Sequence, residues 1–194
     1  MNDEMKKGYT KYSDEELITV LKGTKPESDY AFAELYDRYG LRINAYIRTI
    51  LTDRQLAEDI FQDTFIKFYQ NVRGDKINGG SAIGFLITIA RNLCLNAKRD
   101  TKSTVQIDDL DLPYNPGTSF EDKELADLVI MALDLVDHEY KEAMVLRFFN
   151  DLPYDEIAEI LNITAARARY LVFTGKQRIK TILQPYLNET MNTK

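Results

Sequence analysis

Three groups of side chains in this 194-residue chain have types and spacings suited to chemistry, and in none of them does the chemistry look covalent. Gln55, Glu58, Asp59, Gln62 and Asp63 recur at helical steps and gather carboxylates and amides on one side of a helix. Phe85, Thr88, Asn92, Asn96 and Arg99, flanked by Arg91 and Lys98, place an aromatic ring, a hydroxyl, two amides and cations on one side of another. Arg167, Tyr170, Thr174, Gln177 and Thr181, flanked by Arg169, Phe173, Lys176 and Lys180, make a third stripe with no acid in its own sequence. Thiol and zinc chemistry are poorly supplied, because the chain holds one His, His138, and one Cys, Cys94. A carboxylate-bridged metal bundle built on Glu58, Asp59 and Asp63 needs a His three residues after a Glu on facing helices, and His138 stands in another part of the chain. The expectation is no catalytic residue, no metal and no cofactor.

Each group admits a plain reading beside a functional one. The acids of 53–72 complement the positive end of a helix dipole, or they dock on a basic protein surface; Asp63 lies too far along for the dipole to account for all of them. The stripe of 81–99 suits unstacked bases, which wedge against a ring while amides read their edges. Cys94, on the opposite side, reads as a small buried hydrophobe. The segment from Arg73 to Gly80, with Lys76 and Asn78, is either a surface loop or a flap over an extruded base. The stripe of the last helix fits a major groove, where bases offer acceptors and methyl groups and phosphates offer charge.

The elements that must position these groups are all helical, since apolar residues recur at three- and four-residue steps and no stretch alternates as a strand would. Ser13 with Glu16 forms a capping box for a short helix closed by Gly23. Ser28 is expected to cap a helix reaching Ile50, a further helix to start at Asp53 and reach about Val72, and Ser81 to cap one ending near Arg99. Residues 101–120, rich in Thr, Ser, Asp, Pro and Gly, read as a flexible acidic linker. Helices are then expected near 121–136, 138–149 and 153–161, with a last one from Thr164 to about Leu183. Pro153 in a first helical turn, small Ala158, Asn162 at the turn, inward Ile163 and a Thr164 cap describe a helix-turn-helix. The fold class is therefore all-α, with two small helical domains.

Composition agrees. The chain has 44% hydrophobic residues, enough for packed cores, and no apolar run of membrane-spanning length or signal-peptide character, which predicts a cytoplasmic protein without membrane insertion. Net charge is −6, unevenly spread: residues 107–159 hold 15 acids and 3 bases, whereas 160–188 hold Arg167, Arg169, Lys176, Arg178 and Lys180 and no acid. That distribution suits a protein touching nucleic acid at one face and protein elsewhere.

Four blocks carry a family resemblance: Ala31-Phe32-x-x-Leu35-Tyr36-x-x-Tyr39; Ala57-Glu58-Asp59-Ile60-Phe61-Gln62-Asp63-Thr64-Phe65; Phe85-Leu86-x-x-Ile89-Ala90-Arg91-Asn92; and Leu152-x-Tyr154-Asp155-Glu156-Ile157-Ala158-Glu159-Ile160-Leu161-x-Ile163. In order and spacing they resemble the extracytoplasmic-function sigma factors of the sigma-70 family. The resemblance implies a region 2 in residues 1–100 that binds core RNA polymerase and melts the −10 element. It implies a region 4 in 121–187 that reads the −35 element as duplex promoter DNA, followed by a tail over 188–194. On this footing Glu58, Asp59, Gln62 and Asp63 face the polymerase. Lys67, Lys76, Asn78, Phe85, Thr88, Arg91, Asn92, Asn96 and Arg99 face the −10 DNA, and Thr164, Arg167, Arg169, Tyr170, Phe173, Thr174, Lys176 and Gln177 the −35 DNA.

An anti-sigma factor partner is implied too, as is a place for Asp108, Asp109 and Asp111 along the path of nascent RNA. The chain departs from the family at Phe85, where Trp is usual, and at Asn96, where an acid is frequent. Arg167, Tyr170, Leu171 and Thr174 replace the more usual Thr, Ser, Arg and Arg, so the −35 preference does not carry over from relatives. The rival reading is a stand-alone helix-turn-helix regulator on operator DNA, which accounts for the C-terminal half only.

Overall fold

The computed structural model describes residues 8–77, 81–100 and 128–191. The chain divides into two compact units, Met1–Ile107 and Asp108–Lys194. The described residues contain helices and no strand. None of these helices is long and apolar enough to cross a membrane. The expected linker, 101–120, lies outside the described residues.

In the N-terminal unit α1 spans Asp14–Leu21, α2 Glu27–Ile50, α3 Arg54–Arg73 and α4 Ala82–Asp100. The expected caps at Ser13 and Ser81 form, and Asp53, the expected start of its helix, caps it as well. The Ser13 hydroxyl accepts from the Glu16 N–H at 3.2 Å and the Glu16 carboxylate accepts from the Ser13 N–H at 2.7 Å. Asp53 accepts from the Leu56 N–H at 3.0 Å, and Ser81 from the Gly84 N–H at 3.1 Å. Each satisfies a donor that the first helical turn leaves without a partner. The Ser28 cap does not form. The Pro26 carbonyl already accepts from Asp29 and Tyr30, so the helix starts earlier and Ser28 is carried inside it, fully buried.

The core of this unit is the apolar side of all four helices, among them Leu17, Leu35, Tyr46, Phe68, Leu86 and Cys94. An aromatic row locks α2 to α3, with Tyr36 and Phe65 ring centroids 4.8 Å apart and Phe61 and Phe65 5.2 Å apart. Arg38 ties the chain start to α2: its guanidinium donates to Glu34 at 2.7 Å, to Asp14 at 3.2 Å and to the carbonyls of Tyr9, Thr10 and Tyr12. Burial, with a hydrogen bond to Asp14, pushes the neighbouring Tyr39 phenol above its ordinary value.

In the C-terminal unit a helical stretch over 128–134, α5, is followed by α6 over His138–Met144, α7 over Tyr154–Leu161 and α8 over Ala165–Met191. The expected helix 138–149 is interrupted: Val145–Phe149 widen into a π turn. The buried Asn150 explains it, since its N–H and its side-chain amide both donate to the Val145 carbonyl, at 3.1 and 3.2 Å, five residues back. Pro153 is the residue before α7 and not part of its first turn. The α7–α8 turn forms as expected. Asn162 is left-handed at φ 55°, the Ile163 N–H donates to the Ala158 carbonyl at 2.9 Å, and Thr164 accepts from the Arg167 N–H at 3.2 Å.

Helix α8 runs past Leu183 to Met191 with Pro185 inside it. Pro185 lies on the exposed side, where water reaches the backbone carbonyl that loses its partner. The close crossing of α8 on α6 depends on Gly175, where an added Cβ would stand 2.5 Å from Met144 Sδ and 3.3 Å from Tyr140 Cβ. Gly175→Val is expected to lower the unfolding free energy of this unit by about 1–3 kcal/mol through overpacking, read by denaturant melts of the full chain. Met144→Ala in the same chain should recover part of the loss.

Candidate nucleic-acid and protein interfaces

Helix α3 buries Ala57, Ile60, Thr64, Phe65, Phe68 and Val72 and leaves Glu58, Asp59, Gln62 and Asp63 exposed on the far side. That follows from the sequence, because the apolar residues repeat every three or four positions and the acids fill the steps between them. Lys67 is also exposed, one turn beyond Asp63. One residue of this face went unread: Ile66, 53% exposed, extends the row Asp59, Gln62, Asp63 by one turn with an apolar side chain. Its spacing of seven, four and three residues from those positions was the available signal. Glu58 also borders a cleft of about 190 Å³ shared with Asn44, Arg48, Arg54, Ala57 and Phe61, so the acidic face has basic residues at one end.

Helix α4 buries Ile83, Leu86, Ile87, Ala90 and Cys94, and it exposes Thr88, Asn92, Asn96 and Arg99. Phe85 and Arg91 are half-buried, so the expected outward ring sits partly in the surface. The Thr88 hydroxyl is committed to the Gly84 carbonyl at 2.8 Å, and the Asn96 amide oxygen accepts from Arg99. Among the described residues the Asn92 amide is exposed and has no hydrogen-bond partner. Asn78 lies outside the described residues.

The segment after α3 differs from a free flap as far as residue 77. Arg73 donates to the Gly23 carbonyl, Lys22 pairs with Asp75, the Lys76 N–H donates to the Asn71 carbonyl at 2.9 Å and Ile77 is buried. Asp75, at φ 57°, makes the sharp turn that allows these contacts, while Lys76 remains exposed. The Lys22 contact, with its paired hydrogen bond, holds the Asp75 carboxyl below its ordinary value.

Helix α8 buries Ala168, Leu171, Val172, Gly175, Ile179 and Leu183. Arg167, Arg169, Lys176, Gln177 and Lys180 are exposed, as are Tyr170 and Phe173, the latter at 64%; Thr174 is half-buried and the Thr164 oxygen is spent on its cap. The absence of acid from this stripe holds along the sequence but not in space. The N-terminus of α6 brings Glu139 to Arg167 at 2.8 Å and Asp137 to Arg178. Arg167 also lies over the Tyr170 ring, 5.0 Å from its centroid, and Arg178 over Tyr140 at 4.3 Å. Arg169 has neither a hydrogen bond nor an ion pair among the described residues, and its guanidinium lies over the Tyr154 ring at 5.5 Å. No group of His, Cys, Asp and Glu able to hold a metal ion occurs among the described residues.

Both units resemble parts of known proteins. Residues 35–104 match the family model described as Sigma-70 region 2, and residues 126–179 the model described as Sigma-70, region 4. The ECF RNA polymerase sigma factor SigM of Bacillus subtilis is 28% identical over 163 residues, which cover 80% of this chain and 97% of the relative. The RNA polymerase sigma-H factor of Pseudomonas aeruginosa is 27% identical over 194 residues, covering 93% of this chain and 98% of its own. Two solved structures share the fold. CnrH, solved in complex with the cytosolic domain of CnrY, has a TM-score of 0.63 at 16% identity, with 89% of this chain and 97% of that chain covered. The sigma factor RpoE of Bartonella quintana, solved with the anti-sigma factor NepR, has a TM-score of 0.59 at 20% identity, with 76% and 95% covered.

Proposed function

Because this chain belongs to the extracytoplasmic-function group of the sigma-70 family, we propose how its exposed side chains divide the work of promoter recognition. It is a transcription initiation factor that acts with core RNA polymerase on promoter DNA. Within that role, Asp59, Gln62 and Asp63 meet the polymerase, with Ile66 supplying an apolar centre and Glu58 its edge. Thr88, Asn92, Asn96, Arg99, Lys67 and Lys76 line the path of the melted −10 strand, with Phe85 and Arg91 behind them. Arg169, Tyr170, Phe173, Thr174, Lys176 and Gln177 face the −35 duplex, with Arg167 beside them and Thr164 holding the helix start. The chain has no chemistry of its own to perform and works in the cytoplasm, where polymerase and chromosome are. An anti-sigma protein that covers these surfaces is the expected regulator; the similar sigma factor RpoE is solved in complex with the anti-sigma factor NepR.

One observation carries the division: among the described residues Asn92 offers an exposed amide without a hydrogen-bond partner on α4, whereas α8 offers cations and rings. The first suits a base out of its stack, the second a closed duplex. The test is transcription from a promoter library by core polymerase with and without this chain. Promoter-dependent transcripts appearing only with the chain support the reading, and their absence removes it. In the same assay Arg169→Ala is expected to weaken −35 binding by about 1–3 kcal/mol. A loss confined to certain −35 bases means base readout, and a uniform loss means a phosphate contact.

A further inference from the structure

Tyr154 is the first residue of α7, the helix that precedes the turn, and it is not itself on the recognition helix. Its ring is half-buried and packs against the core of the C-terminal unit, so it is a fixed platform. Two guanidinium groups lie over it, Arg147 and Arg169, each 5.5 Å from the ring centroid. Arg147 is held from behind, because it donates to the Leu152 carbonyl at 3.1 Å and to Asp151 at 3.2 Å. Arg169 has no other fixed partner among the described residues, in contrast to Arg167 and Arg178, which are neutralised by carboxylates.

A guanidinium over a ring face keeps all five N–H donors in its plane, because the attraction runs through the face of the ring and uses none of them. A carboxylate consumes those donors in pairs. We infer that Tyr154 is a specificity-positioning residue: its ring holds Arg169 in one orientation with every donor open to the −35 duplex. This rests on the reading of Arg169 as a −35 contact. The side chain of a free arginine carries rotamer freedom worth a sizeable part of any single contact, so holding it in advance sharpens discrimination among bases as well as affinity. An Arg169 without its platform would still reach phosphates, but at the cost of selectivity.

The experiment uses holoenzyme assembled from the full chain and core polymerase. The probe is a randomised duplex −35 segment joined to a constant, pre-melted −10 segment. Tyr154→Leu, which keeps an apolar packing group, is expected to weaken binding roughly two- to fivefold, the range of an exposed cation–ring contact. The loss should fall at the same base positions that Arg169→Ala relaxes. Tyr154→Phe should bind like the parent, and Tyr154→Leu combined with Arg169→Ala no worse than Arg169→Ala alone.

Additive losses in the double variant overturn the inference while leaving Arg169 as a contact. A Tyr154→Phe defect equal to that of Tyr154→Leu also overturns it, since the hydroxyl and not the ring would then matter. If Arg169→Ala is silent, the underlying reading of Arg169 falls and takes the inference with it. Should Tyr154→Leu destabilise the unit, ring-fluorinated phenylalanine at 154 keeps the shape and removes the negative ring face. It must then reproduce the selectivity loss, and parent-like selectivity overturns the inference.

Discussion

Reversing both Asp59 and Asp63 to Lys abolishes binding to core polymerase and leaves the fold as stable as before: that is the expected result. Both carboxylates are exposed, and neither has an ion pair among the described residues, so their replacement removes no internal contact. Substitutions at such positions ordinarily move stability by less than about 0.5 kcal/mol. At an interface the same changes place like charges against a basic partner surface. Each reversal at a central position costs about 2 kcal/mol or more, so the pair should weaken binding by about a thousandfold or beyond. Ile66 strengthens the expectation, because an apolar side chain amid carboxylates is the composition of a docking centre with its charged surround. Affinity measured by fluorescence titration with core enzyme, beside a thermal melt, reads both halves. Unchanged affinity rejects this face as the polymerase contact.

The second large effect concerns promoter opening. Asn92→Ala should slow open-complex formation and relax the −10 base preference, while polymerase binding and −35 binding stay near the parent values. Extruding a base costs a few kcal/mol, and a positioned amide returns part of that only to the base whose edge it fits. Asn92 has such an amide, exposed on the side of α4 opposite the buried Ile87, Ala90 and Cys94. Its neighbours on that side are less available: Thr88 is bonded to its own helix and Asn96 to Arg99. Removing the Asn92 amide therefore takes from the stripe an amide that no other group holds among the described residues. Rates of opening on duplex and on pre-melted promoters separate the two consequences. Pre-melting should rescue the part due to strand separation and not the altered base preference. Opening at the parent rate, with the parent preference, would make Asn92 a structural residue.

What could be read from the sequence was whatever local spacing determines. The capping box at Ser13 and Glu16, the helix start at Asp53, the Ser81 cap, the left-handed Asn162 and the buried and exposed sides of α3, α4 and α8 all depend on residues within two turns of one another. What escaped depends on groups far apart in the chain, or on competition for a single carbonyl. Arg167 meets Glu139 across 28 positions and Arg178 meets Asp137 across 41, so a stripe that is free of acid in sequence is partly neutralised in space. The π turn arises because Asn150 competes for the Val145 carbonyl, and Ser28 loses its capping role because Pro26 starts the helix first. The half-burial of Phe85 reflects how α4 packs in its unit, which periodicity along one helix does not reveal.

Those two arginine–carboxylate pairs also bear on how the C-terminal unit responds to ionic strength. Cations that settle on phosphates displace the counterions condensed along duplex DNA, and each full contact steepens the fall of affinity with salt by nearly one power of its concentration. An arginine that must first leave a carboxylate uncovers a charge that draws mobile cations back, so part of the release is returned. If α8 lies on the −35 duplex as proposed, its cations without a carboxylate partner among the described residues, Arg169, Lys176 and Lys180, would contribute in full wherever they reach a phosphate, while Arg167 and Arg178 would contribute only the difference between two partners. The expected affinity of this helix for a duplex therefore falls less steeply with the surrounding electrolyte than its count of basic residues suggests.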